Sequence, residues 1–228
     1  VIVTGVSRGI GAALFDEFRA AGDRILALGR RFTAHQHAAA AAEPDRITLR
    51  AVDLSYVASL PPASEFAAFA QDATHVVLIH NAAVVDPVGA VGTLIAGDIQ
   101  HAVAVNLTAP MVITNAVLSA VGDTPLTVLH VSTGATKRHL GGWAVYSATK
   151  LGAEFFTAAL ADQVADRPSV RVAVVQPGVV DTGLQARLRE HAASDVYFPD
   201  RERFVGLFER GELAAPAEVA RRIIADHL

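Results

Sequence analysis

Cysteine is absent from this 228-residue chain, so neither a disulfide scaffold nor a cysteine-ligated metal centre is available to it. Lysine is nearly absent: Lys137 and Lys150 stand against seventeen arginines. Acidic side chains outnumber basic ones by 23 to 19, and the net charge of −4 comes with no basic cluster. Nucleic acid and an anionic membrane surface are therefore poor partners. No apolar run reaches the roughly 20 residues a bilayer requires. The richest stretch, 76–99, is broken by His80, Asn81, Asp86 and Asp98. A basic leader with a cleavage site is also missing, which gives the expectation of a cytoplasmic protein. The first residue is Val1, with no initiator Met, and we expect residues to be missing before it. A metal has little to bind, since His35 and His37 diverge on a helix and no third ligand accompanies them. What the chain has in quantity is apolar character. With 52% hydrophobic and 18% charged residues, disorder is excluded and one large core is affordable.

Six short runs rich in valine and isoleucine, at 1–4, 24–28, 47–52, 75–79, 126–131 and 170–175, read as strands covered on both faces. Helix-length segments near 10–21, 34–42, 64–71, 98–121 and 143–165 separate them. This alternation predicts parallel strands joined by right-handed crossovers, hence a single-domain α/β Rossmann fold over 1–228. It is a doubly wound parallel sheet of six visible strands with helices on both faces. Segments 98–121 and 143–165 are apolar on more than one face. Beyond packing on the sheet, they are expected to join copies into a homodimer or homotetramer. The charged stretch 183–205, with His191, Tyr197 and Phe198, follows the last strand. Ligands of open α/β sheets sit beyond strand carboxyl ends, so a substrate lid is expected there rather than an ordinary surface helix pair.

The first strand runs into Thr4-Gly5-Val6-Ser7-Arg8-Gly9-Ile10-Gly11 and then a helix. Glycines at this spacing allow a tight turn, close backbone approach to a pyrophosphate and close helix–strand packing. The positive end of the helix then faces the phosphates. After the second strand, an NAD site would place an acid for the ribose 2′-hydroxyl. The chain instead reads Leu28-Gly29-Arg30-Arg31. With Arg8 in the glycine turn, two guanidiniums suit a 2′-phosphate, which predicts NADP(H). Tyr146 and Lys150 are four apart on one helix face, where an ammonium is expected to lower the phenol pKa for proton transfer. Ser132-Thr133 ends the fifth strand with two hydroxyls, and Gln176-Pro177-Gly178 follows the sixth at the same sheet edge.

With these motifs the chain resembles the classical short-chain dehydrogenase/reductase family. The matching residues, in order, are Gly5, Gly9 and Gly11; Asp53-Leu54; Asn81-Ala82-Ala83; Asn106; Thr133; Tyr146 with Lys150; and Pro177-Gly178 with Thr182. Within the family it looks most like sepiapterin reductase and the bacterial benzil-reductase-like enzymes. That likeness rests on Gly142-Trp143, on Val180-Asp181-Thr182 and on the tail from Arg203 to Pro216. The resemblance implies that Tyr146 protonates the substrate oxygen and that Lys150 lowers its pKa and holds the nicotinamide ribose. Asn106 would anchor a water reaching Lys150. A hydroxyl donor is implied thirteen residues before the tyrosine, at Thr133, with Ser132 as the neighbouring alternative. Cofactor contacts are implied for Gly5, Ser7, Arg8, Gly9, Ile10, Arg30, Asp53, Leu54, Asn81, Ala82, Val179 and Thr182, besides Tyr146 and Lys150. The family's sheet normally ends in a seventh strand and this chain stops in the helix expected at 216–228, so residues are expected to be missing at that end too. His80 and His130 read as tolerated strand-end substitutions, and His139 as a solvent-facing loop residue.

The expectation is an NADP-dependent oxidoreductase acting on CH–OH and C=O groups. Its substrate would be a small ketone, an α-diketone or a pterin-like side-chain carbonyl. A catalytically weak NADP-sensing regulatory protein on the same fold is the other reading, disfavoured by the presence of both Tyr146 and Lys150.

Overall fold

A computed structural model of the chain describes residues 1–190 and 197–228, with the side chains of 188–190 left aside. Six strands form one parallel sheet: β1 (Ile2–Thr4), β2 (Ile25–Gly29), β3 (Ile47–Ala51), β4 (Val76–His80), β5 (Leu126–Val131) and β6 (Val170–Val175). Their order is β3-β2-β1-β4-β5-β6, all neighbours parallel. The order reverses between β1 and β4, and the crevice at that switch point is where such sheets hold ligands. The central strands are apolar at successive positions because each residue meets a covered face. Ile2, Leu26, Leu78 and Val128 point to one side, with Ile113 and Val117. Val3, Ala27, Ile79 and Leu129 point to the other, with Leu14, Phe15, Phe18, Val219 and Ile223. At about 1.5–3 kcal/mol per large buried side chain, these two layers carry the fold.

The helices are α1 (Gly9–Ala21), α2 (Ala34–Ala42), α3 (Ala63–Ala70), α4 (Ala96–Val103), α5 (Ala109–Ala120), α6 (Ala144–Gln163), α7 (Gly183–Glu190), α8 (Arg201–Glu209) and α9 (Pro216–His227). Local chemistry sets several of the ends. Thr33 and Gln36 form a capping box at the start of α2, and left-handed Gly22 closes α1. The single helix expected over 98–121 is interrupted. Between α4 and α5, Ala104–Thr108 winds as a π-helical turn, with Asn106 inside it. By length and composition Ala96–Ala120 could cross a membrane, yet Ala102, Val105, Ala109, Ile113 and Val117 belong to the buried core.

The expected lid falls on α7, α8 and the segment joining them. Residues 191–196, and so His191, lie outside the described residues. Phe198 and Phe204 turn inward onto Trp143, Leu140 and Tyr146, forming a third apolar cluster at the sheet's carboxyl edge. Asp86, after β4, pairs with Arg187 of α7 at 2.8 Å.

Candidate active site

Two close approaches build the glycine turn between β1 and α1. Gly5 has φ of +73°, and a Cβ there would lie 2.8 Å from the Ala82 Cα. A Cβ on Gly11 would strike the Gly5 carbonyl and the Asn81 amide. Asn81 Nδ2 donates to the Thr4 and Gly5 carbonyls, each at 3.0 Å. Thr4 Oγ1 in turn accepts the Asn81 and Ala82 amides, both at 3.0 Å. From α2, the buried Gln36 donates to the Val6 carbonyl at 2.7 Å. The turn is thus fastened from β4 and α2, and no side chain caps the first amides of α1. That leaves an anion-binding cradle facing the crevice, which fits a dinucleotide pyrophosphate.

One cleft of about 600 Å³ runs from this turn to α8. It is lined by all the predicted cofactor and catalytic residues except Asn106. Arg8, Arg30 and Arg31 line its adenosine end with Asp53, whose carboxylate accepts the Ser55 N–H at 2.9 Å and the Ser55 hydroxyl at 2.7 Å. Those bonds hold the Asp53 pKa below the ordinary value. Ser7, Gly9, Ile10, Leu54, Val179 and Thr182 form the adjoining walls. At the other end, Trp143, Phe204, Leu140 and Leu184 surround Tyr146. Trp143 stacks on Phe198 (5.5 Å, 23°) and leans on Phe204 (5.5 Å), with its edge toward Tyr146 (5.0 Å, 67°).

Three findings sharpen or correct the predicted roles. The structure separates the two hydroxyls at the end of β5. Both line the cleft, but Ser132 donates its hydroxyl to Glu154 at 2.5 Å, whereas Thr133 lies near enough to Tyr146 to act on its phenol. The Tyr146 phenol is pushed up to about 12, because burial outweighs the opposing influence of the Thr133 hydroxyl. Lys150 is not what governs it here: its ammonium donates to the Val131 carbonyl at 2.8 Å and is itself pushed down to about 8 by burial. Asn106 is fully buried and spends its side chain on the Val84 N–H (2.9 Å), the Val84 carbonyl (2.8 Å) and Thr149 (3.1 Å). It ties the loop after β4 to α6, and the π turn is what brings it there.

His80 and His130 are paired across β4 and β5, both buried, with rings 6.0 Å apart. His80 bonds Thr114 at 2.7 Å, whereas His130 Nε2 has no partner among the described residues. Burial first, and the Lys150 charge second, push them to about 3 and about 2. Both therefore stay neutral in the fold but take up protons near pH 6.5 once unfolded. Stability is lost as pH falls below that value, by about 3 kcal/mol per histidine two units lower. Urea denaturation across pH checks this, with His130→Leu expected to remove one proton's worth of slope. His139 is exposed, His35 pairs with Asp16 at 3.0 Å, and the His37 ring packs on Phe32.

Sequence reasoning passed over Gln36, which carries no local signal, and Glu154, which does. Glu154 stands one turn beyond Lys150 on the same helix. Arg138 also lines the cleft and escaped notice, because it lies in a segment without a motif; Leu184 and Arg203 line it too, from the stretch where a lid was expected.

Residues 1–193 match the short chain dehydrogenase family. Over 229 residues the chain is 30% identical to a benzil reductase ((S)-benzoin forming) of Bacillus cereus, covering 98% of this chain and 91% of the relative. It is 28% identical over 238 residues to a sepiapterin reductase of Meriones unguiculatus, covering 98% and 88%. Among solved structures, the KRED1-Pglu enzyme superposes with a TM-score of 0.82 at 25% identity, over 96% of this chain and 90% of that one.

Proposed function

The chain belongs to the short-chain dehydrogenase family, and from that premise we propose that it is an NADPH-dependent carbonyl reductase acting on a small ketone, an α-diketone or a pterin-like side-chain carbonyl. The observation that carries this reading is the buried Tyr146 phenol, lining one cleft with Thr133 and Lys150 and packed in a cluster with three aromatic rings. Thr133 and Tyr146 can both donate to one carbonyl oxygen, and Tyr146 then gives that oxygen its proton. The stack of Trp143, Phe198 and Phe204 excludes water and favours a flat, apolar substrate. The benzil reductase and sepiapterin reductase relatives support the same chemistry.

Arg8 and Arg30 would hold the 2′-phosphate, the glycine turn the pyrophosphate, and Lys150 the nicotinamide ribose. When bound, NADPH supplies the hydride. An assembly through α4–α5 and α6 accompanies the reading, since Leu151 and Phe155 of α6 are 53% and 77% exposed. Light scattering of the purified chain measures it.

The test is NADPH oxidation with benzil, aliphatic α-diketones and sepiapterin, with NADH in parallel. Turnover is expected with NADPH, at a kcat/KM about tenfold or more above that with NADH, and Arg30→Ala should narrow the gap. Equal use of NADH removes the NADP assignment. Tight NADP binding without any turnover returns the sensing role.

A further inference from the structure

Glu154 is a half-buried carboxylate on α6, one turn beyond Lys150 and two beyond Tyr146. Its Oε1 accepts from Ser132 Oγ at 2.5 Å and Gln176 Nε2 at 3.3 Å. Thr136 Oγ1 lies 3.0 Å from the same oxygen and shares its proton with the Thr133 carbonyl at 2.9 Å. These donors come from three places: the end of β5, the turn that follows it, and the chain leaving β6. Thr133 is held between two of them, and Gln176 directly precedes the Pro177-Gly178 turn that lines the cleft. Ser132 and Thr133 both line the cleft just beyond β5, so a bond that occupies the Ser132 hydroxyl leaves the Thr133 hydroxyl as the one free to meet a substrate. A charge-assisted bond of 2.5 Å is a strong anchor.

We propose that Glu154 is a positioning residue for the Tyr146 site: it occupies the Ser132 hydroxyl so that Thr133 is left free to meet a substrate, and it supplies the counter-charge for the buried Lys150 ammonium. The titratable groups around Lys150 are His80 from β4, His130 from β5, and, one turn to either side on its own helix, Tyr146 and Glu154. Both imidazoles are neutral and the phenol is protonated, which leaves Glu154 as the anion among them. The inference rests on Tyr146 and Lys150 being the reaction centre.

Glu154→Gln and Glu154→Leu test it beside wild type and Tyr146→Phe. The variants are measured by kcat, by NADPH affinity from fluorescence titration, and by the NMR titration of Lys150 in nucleotide-free protein carrying ¹³C-lysine. With only two lysines, Lys137→Arg assigns the spectrum. Glu154→Leu should lower kcat about tenfold or more with NADPH affinity held within about twofold. Glu154→Gln keeps an acceptor for Ser132, so kcat should stay within about threefold while the Lys150 midpoint moves to lower pH. An unmoved Lys150 midpoint in Glu154→Gln overturns the inference, as does wild-type kcat in a folded Glu154→Leu. If Glu154→Leu does not fold, the Lys150 midpoint in Glu154→Gln decides. Wild-type turnover by Tyr146→Phe removes the proposed function instead, and the Lys150 titration still judges Glu154.

Discussion

Tyr146→Phe is expected to lower kcat by a factor of about 10² to 10⁴ while leaving NADPH affinity and the melting temperature close to wild type. The argument rests on how little the substitution changes besides one hydroxyl. Tyr146 is 5% exposed, and its ring meets the edge of Trp143 with 5.0 Å between centroids. Phenylalanine preserves that contact and the packing against Leu140, Phe198 and Phe204. What disappears is the proton that burial holds on the phenol up to about pH 12. A reductase needs that proton at the carbonyl oxygen as negative charge develops there, and a loss of 10² to 10⁴ corresponds to about 3–5 kcal/mol of transition-state stabilisation. Stopped-flow NADPH oxidation with a diketone that wild type turns over measures the effect directly. A variant that retains more than about a tenth of wild-type kcat would mean that the proton comes from another group.

Much of this site is visible before any coordinates. Each central strand is buried on both faces, so the apolar runs around Leu26, Leu78 and Val128 announce themselves without alternation. The glycine spacing and the Tyr146–Lys150 interval are equally local, because each function depends on residues a few positions apart. What escaped reading depends on distant partners. The π turn at Asn106 interrupts a sequence with uniform helical character, because Asn106 bonds Val84 across 22 residues. Ser132 and Thr133 are adjacent in sequence just past β5, and the spacing to Tyr146 pointed to Thr133; that Ser132 donates to Glu154, 22 positions on, is visible only in the fold. The Tyr146 pKa was expected to follow its lysine neighbour, yet it follows burial in the cluster of Trp143, Phe198 and Phe204, two of which come from the stretch 183–205. Composition drew attention to 183–205, but only the fold shows that Phe198 and Phe204 of that stretch pack on Trp143.

Lys150→Met is expected to make the protein more stable while reducing turnover by a factor comparable to that of Tyr146→Phe. Lys150 is 2% exposed, and burial pushes its pKa from the ordinary 10.5 down to about 8. Between those values the unfolded chain binds a proton that the folded chain does not. Wild-type stability therefore climbs as pH rises from about 8 to 10.5, and below 8 the full cost of burying the charge is present. A shift of this size amounts to about 3 kcal/mol at neutral pH. Methionine fills nearly the same volume and carries no charge, so that cost is removed. Against this stands the lost bond from the ammonium to the Val131 carbonyl, about 1 kcal/mol. The net gain near pH 7 is then about 2 kcal/mol; it should shrink as pH rises above about 8 and be gone by about pH 10, where the unfolded lysine also begins to lose its proton. Urea denaturation of both proteins at pH 7 and pH 10 measures the gain and its disappearance. A variant less stable than wild type at pH 7 would show that Glu154 and the Val131 carbonyl stabilise the ammonium by more than its burial costs. A gain in stability joined to a loss of turnover would identify Lys150 as a charge kept in the core for chemistry.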